Sequence, residues 1–346
     1  MDYKYIKYKT KYLELKNMDI NNDYKYTEQI GGGKDNIILN ASKIIYKDGK
    51  ITKKNYKSTL DTMYQIASCS KFITSLIVAK LYELEKIDYD TDINLYLKKW
   101  KCPVKGVTLR HLLTHTSGSS DYNGYLGKEP QVKYNQNLKL NMAIINGESY
   151  SKPFNITEKI GSKFMYSGAG YQVIQQVIEE ITNKRLYQLL KKYIFTPLNM
   201  NNSTGKLLYE GEHNYQLADM QGLYRMYPET AAAGIWMSSN DLFTLALDLM
   251  NSYNDDTGKI LKQKTVKLIT YGEHPEWQKK YENYGLGMFV GEINGKKLFA
   301  HDGGNYAYKM HFHCVPENKY IEILMVNHNP KINKNVRKEA SRILNL

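Results

Sequence analysis

Gln65-Ile66-Ala67-Ser68-Cys69-Ser70-Lys71, running on into Phe72-Ile73-Thr74-Ser75-Leu76-Ile77-Val78-Ala79, is the stretch that the rest of the 346-residue chain serves. It reads as the end of a short strand, a tight turn and a helix with an apolar face. Ser68 and Lys71 are spaced i and i+3, so on a helix the hydroxyl and the amine share one face. A serine at a helix N-terminus also sits in a positive end-field that favours developing negative charge. Ser-x-x-Lys is thus a nucleophile with a built-in partner. The apolar residues on either side place Ser68 in a protected site. Ser70 adjoins Lys71 without facing it. Cys69 has no histidine close in sequence and reads as a small core residue.

Composition bounds the chemistry. Hydrophobic residues make up 42% of the chain, enough for one large domain or two joined ones with an ample core. Three scattered cysteines (Cys69, Cys102, Cys314) exclude a disulfide framework and suggest a reducing compartment. The net charge is +13, but the lysines are spread along the chain and no block of like charge forms a nucleic-acid tail, so no specific nucleic acid is expected. No segment has the length of an apolar membrane span, and the N-terminus lacks the apolar core of a signal peptide. The expected location is therefore intracellular (host cytoplasm) or in a virion.

Residues 1–16 place Tyr5, Tyr8, Tyr12 and Leu15 on one helical face with lysines between them. Such a basic amphipathic helix suits contact with a membrane surface, a partner or a virion component, or packing on its own chain. Gly31-Gly32-Gly33 breaks the chain, which gives a leader at 1–33 and a main domain at 36–346. A tyrosine- and lysine-rich leader ending in glycines resembles that of many proteins of giant DNA viruses of amoebae.

In the main domain, Lys43–Tyr46 and Ile51-Thr52 flank Lys47-Asp48-Gly49-Lys50, a hairpin signal. A helix from Ser70 to about Lys86 follows. Val107–Thr116 is spaced for a short helix stopped by Ser117-Gly118; its His111 and His115, four apart, read as structural histidines rather than a metal pair. Further helices are expected near Leu138–Asn146, Gln172–Thr182, Leu186–Tyr193, after Ser238 to about Met250, and Thr265–Tyr271. Tyr166 stands just before a small-residue turn at a helix start, where a phenol can project into a cleft. The chain ends in strands at 285–290, 298–300, 307–314 and 320–326, then a helix at 336–344. Strands at both ends enclosing a helical middle predict an α+β fold. One antiparallel sheet is built from both termini (about 36–75 and 280–346), with flanking helices and an inserted, mostly helical part (about 76–279).

Seven motifs in order carry a resemblance. They are Ile66–Lys71, Thr108–Gly118, Tyr166-Ser167-Gly168, Phe195–Met200, Gly234–Leu242, Tyr284–Gly287 and His301-Asp302-Gly303-Gly304. Over roughly 36–346 the chain resembles the serine β-lactamase and penicillin-binding-protein superfamily. The resemblance is to the branch with class C β-lactamases, D-alanyl-D-alanine carboxypeptidases and related esterases. It implies a β-lactamase/transpeptidase-like fold, a small-molecule or peptide substrate, and no cofactor or metal. Ser68 would be acylated. Lys71 would ease its deprotonation, and Tyr166 would act as base and then as acid. The backbone N–H groups of Ser68 and Gly304 would form the oxyanion hole. His301 would face a substrate carboxylate, and Gly303 and Gly304 would let substrate approach the strand.

Two departures bear on substrate. Gly168 stands where the resemblance leads one to expect an asparagine, and His301 where a lysine is frequent. Both argue against efficient β-lactam hydrolysis and leave the acyl-transfer core intact, so esterase-like hydrolysis is favoured. The competing expectation is a catalytically weak scaffold that binds without turnover, for example as a virion component.

Overall fold

The computed structural model describes residues 38–119, 140–147, 152–218, 224–271, 284–329 and 335–344. All belong to one compact unit, residues 37–346. The leader expected at 1–33, and the first residues of the helix expected from Leu138, lie outside the described residues.

Strand β1 (Ile38–Lys47) turns into β2 (Lys50–Tyr56) through Asp48-Gly49. Both turn residues have positive φ, 49° and 82°. A two-residue hairpin whose twist matches its strands needs that pair of conformations. β3 (Met63–Gln65) leads through a single 3-10 turn, Ala67–Cys69, into α1 (Ser70–Glu83). Short helices α2 (Leu109–Leu113) and α3 (Leu140–Asn146) follow, then α4 (Gly168–Thr182) and α5 (Leu186–Leu190). β4 (Ser203–Thr204) and β5 (Trp236–Ser238) precede α6 (Ser239–Asp255) and α7 (Gln263–Tyr271). The chain then returns to strands: β6 (Phe289–Ile293), β7 (Lys296–Gly304), β8 (Tyr308–Val315) and β9 (Tyr320–His328), before α8 (Val336–Ile343).

The six-stranded sheet has the order β2-β1-β9-β8-β7-β6, all antiparallel, so the first strands lie beside the last. Period-two alternation assigns its faces. Ile44, Ile321, Ile323, Met310 and Phe312 join the main core, where Phe72 of α1 stacks on Phe312 at 5.3 Å. Leu324, Val326, Ile38 and Ala41 point the other way, under Val336 and Ala340 of α8. α1 is buried nearly all round, as a helix at the centre of a core must be. α6 lies against the inner face, with Ser239 Oγ 2.6 Å from Ser42 Oγ and Phe243 tilted against Tyr46.

A second sheet, β3-β5-β4, was not expected from the sequence; its strands are only two or three residues long. The short helix expected to run to Ser117-Gly118 ends at Leu113, because His115 turns left-handed with φ 58°. Among the described residues no helix is long and apolar enough to cross a membrane.

Candidate active site

Ser68 lies in the turn that feeds α1 and is 5% exposed. The turn is pinned from both sides. Ile66 donates its N–H to the Ile235 carbonyl at 3.1 Å, and Ser70 Oγ accepts from the Ile235 N–H at 3.1 Å. Ala67 is held at φ 45°, a left-handed conformation that costs a non-glycine residue free energy. The strain falls on the residue just before the serine.

Lys71, one turn into the structure beyond Ser68, is fully buried. Its Nζ donates to the Ala232 carbonyl at 2.9 Å. The same ammonium sits 4.8 Å from the ring centroid of Tyr166 and 5.6 Å from that of Tyr171. A buried cation needs such partners. The Ala232 carbonyl is aimed by a tight turn in which the Glu229 carbonyl accepts from the N–H groups of Ala232, Ala233 and Gly234. Nothing in the sequence Ala231-Ala232-Ala233 marks one carbonyl as the partner of Lys71.

Tyr166 is delivered by a segment laid along residues 115–118. Gly161 N–H donates to the Thr116 carbonyl and Met165 N–H to the His115 carbonyl, at 2.8 and 2.7 Å. Ser167 N–H donates to Nδ1 of His115 at 3.0 Å, while Ser167 Oγ caps α4 by accepting from Gly170 N–H. The His115 ring lies 4.2 Å from that of Tyr166. Because Nδ1 accepts, the proton of the neutral ring belongs on Nε2. Burial, and then the neighbouring Lys71 and His301, hold His115 well below the ordinary histidine range. His111 is instead part of a helix cap, its Nδ1 accepting from Thr108 N–H at 3.2 Å. The two histidines thus do different jobs and do not converge.

The far wall is β7, where alternation splits the His301-Asp302-Gly303-Gly304 motif. His301 faces inward and is 1% exposed. Its Nε2 accepts from Tyr284 Oη at 2.9 Å and its Nδ1 donates to the Asp302 carbonyl at 2.6 Å. The ring expected to face a substrate carboxylate is thus buried and hydrogen-bonded at both nitrogens. Gly303 also faces inward, and a Cβ there would lie 2.0 Å from the Ile66 carbonyl oxygen. Its missing side chain lets β7 close on the Ser68 turn. At Gly304 a Cβ would meet only the Lys309 side chain, nearest atom 3.2 Å. Ser68, Lys71, Tyr166 and the strand end 301–304 are therefore gathered around one turn. His115, Tyr284 and Ala232 complete the group without having been singled out for it. Burial, and then the charge of Asp302, push the Cys69 thiol well up, so it is no competing nucleophile.

An antiparallel sheet backed by helices, with a serine turn beneath one strand end, is the β-lactamase/transpeptidase-like fold. A D-stereospecific amidohydrolase from Streptomyces sp. shares it with a TM-score of 0.62 and 18% identity, over 84% of this chain and 90% of that one. The chain belongs to the Beta-lactamase family, whose model matches residues 31–344. Penicillin-binding protein 4* of Bacillus subtilis (strain 168) is 30% identical over 155 residues, 44% of this chain and 32% of that protein. A teichoic acid D-alanine hydrolase of Staphylococcus aureus (strain MRSA252) is 29% identical over 200 residues, 55% of this chain and 47% of that protein. The chain thus covers less than half the length of either relative. Relatives in this family are serine hydrolases.

Proposed function

We propose that the protein hydrolyses a small ester or amide through an acyl-enzyme on Ser68, with esters favoured over β-lactams. The observation that carries this reading is the full burial of Lys71, with its ammonium between the Ala232 carbonyl and the face of Tyr166. A cation held there favours the phenolate. Tyr166 takes the Ser68 proton as Oγ bonds to the substrate carbonyl carbon. The negative oxygen is received by the N–H groups of Ser68 and Gly304. Tyr166 returns the proton to the leaving group as the carbon–heteroatom bond breaks, and water repeats the sequence to free Ser68. In this reading His301 and Tyr284 position the strand rather than contact substrate. The D-alanine and D-stereospecific chemistry in the names of two similar proteins supports a D-aminoacyl group as the acyl donor.

A fluorophosphonate probe and a chromogenic D-alanyl ester test the reading. Labelling and turnover are expected in the wild type and lost in Ser68→Ala; equal behaviour of the two would sink it. One observation favours the alternative of a scaffold without turnover. Gly168 is buried in the first turn of α4, so that position offers no amide to a substrate carbonyl. An unlabelled wild-type Ser68 would support that alternative.

A further inference from the structure

The outer face of the sheet carries a second constellation, away from the Ser68 turn. His311 and His313 are two apart on β8, so both side chains leave the same face. Glu322 on β9 is the direct cross-strand partner of His313, and Asp302 on β7 is that of His311. One ligand atom each from His311, His313 and Glu322 lie within 4.8 Å of one another. The two imidazole rings are 4.0 Å apart.

Asp302 supplies the second observation. Its Oδ1 lies 2.6 Å from His311 Nδ1 and 3.0 Å from a guanidinium nitrogen of Arg337 on α8. A carboxylate on Nδ1 keeps the proton there and turns the Nε2 lone pair outward. That is the support a metal-ligating histidine almost always has. The side chains are part-exposed, 12% for His311 and 24% for Glu322, so an ion has a route in.

We propose that His311, His313 and Glu322 bind a divalent transition ion of the zinc class, with Asp302 orienting His311. Two imidazoles and one carboxylate suit zinc and its neighbours rather than magnesium or calcium. Three protein ligands leave a fourth position for water. Bonds of about 2.0–2.2 Å need the ligand atoms drawn closer than they lie now. The movement required is a turn of Glu322 away from Lys43, whose Nζ holds Oε1 at 2.9 Å, and from Tyr320, whose Oη donates to Oε2 at 2.9 Å. Lys43, the charged one of the two, is the main competitor of the ion. Because Asp302 sits between His301 and Gly303, a bound ion also ties down the strand that closes on Ser68.

The test uses the full chain, stripped with chelator and titrated with Zn²⁺ in equilibrium dialysis. We expect one ion per chain, a Tm that rises with Zn²⁺, and no comparable shift with Mg²⁺. His313→Ala and Glu322→Gln should each weaken Zn²⁺ binding at least about tenfold, and Asp302→Asn by about 10–100-fold. Lys43→Met should bind as tightly or more tightly. Should a variant fail to fold, Co²⁺ on the wild type decides: strong visible bands of a four-coordinate ion are expected. The proposal is overturned if the wild type shows only the weak bands of hydrated cobalt. It is equally overturned if a His311→Ala/His313→Ala double variant takes up Zn²⁺ as the wild type does.

Discussion

Gly303 runs so close to Ile66 that a Cβ at 303 would lie 2.0 Å from the Ile66 carbonyl oxygen. Ile66 is two residues before the candidate nucleophile, and Gly303 belongs to β7 near the other end of the chain. The contact sets how far the strand end stands from the serine. The spacing of the Ser68 and Gly304 N–H groups proposed to receive an oxyanion therefore depends on a side chain being absent.

Replacing that hydrogen is the most direct test. Gly303→Ala should destabilise the protein by about 1–3 kcal/mol, the usual cost of overpacking, and should lower turnover as the strand shifts. Gly304→Ala should be milder, since its Cβ meets only the flexible end of Lys309. Thermal midpoints of the two variants measure the difference; equal midpoints would contradict it.

His115 predicts an acid limit. Its folded-state pKa is depressed by burial and by the neighbouring Lys71 and His301. The folded ring binds a proton less readily than the unfolded one, whose value is about 6.5. The stability this contributes is present above about pH 6.5 and is lost as pH falls below it. His115→Gln should flatten that slope in urea titrations run from pH 7 to pH 5; an unchanged slope would contradict the reading.

Asp241 predicts a slope of opposite sign. Burial raises its carboxyl to about 6, against the hydrogen bonds from Ser203 Oγ and Asn202 N–H. The folded form binds the proton more tightly than the unfolded one, so this group loses stability as pH rises from about 4 through about 6. Asp241→Asn should remove that loss, amounting to about 1–3 kcal/mol between pH 4 and pH 7. Comparing the two proteins by chemical denaturation at both pH values checks it.

Tyr284 predicts a cost in the site's scaffold. Its hydroxyl donates to Nε2 of buried His301, and Tyr284→Phe leaves that nitrogen without the donor. A loss of about 1–3 kcal/mol is expected. Turnover should fall without a change in the pH dependence set by His115. A variant as stable as wild type in urea would show that His301 is held by other contacts.

The local rules that were legible in the sequence are those written in neighbouring residues. Asp48-Gly49 gave its hairpin, and Ser238 gave the start of α6, whose Asp241 N–H it accepts at 3.1 Å. Asn294-Gly295, both with positive φ, makes the same kind of hairpin between β6 and β7, a signal present and overlooked. α4 begins at Gly168, four residues earlier than the Gln172 expected, because Ser167 caps a first turn whose glycines disguise it. α5 gives way to a wide turn at Lys191–Phe195 before Pro197 ends it. Long-range partners left no local mark. The choice of Ala232 for Lys71, of His115 for Ser167, and of Ile66 for Gly303 each joins residues distant in sequence. Ser68 and Lys71 were legible as a candidate pair from residue type and spacing, and Tyr166 as a candidate from the family resemblance. The packing that orients them was not.

The order of synthesis adds a consequence. Ser68 and Lys71 leave the ribosome roughly 10–50 s, and Tyr166 roughly 7–30 s, before β7 exists at ordinary elongation rates. β1 likewise waits for β9 on its open side. Until the last strands arrive, the serine turn has no Gly303 seated on Ile66 and no Gly304 beside it. Pairing this distant in sequence also folds slowly. The arrangement acts as a timer: the nascent protein carries the candidate nucleophile early, and the strand end that closes on it comes late.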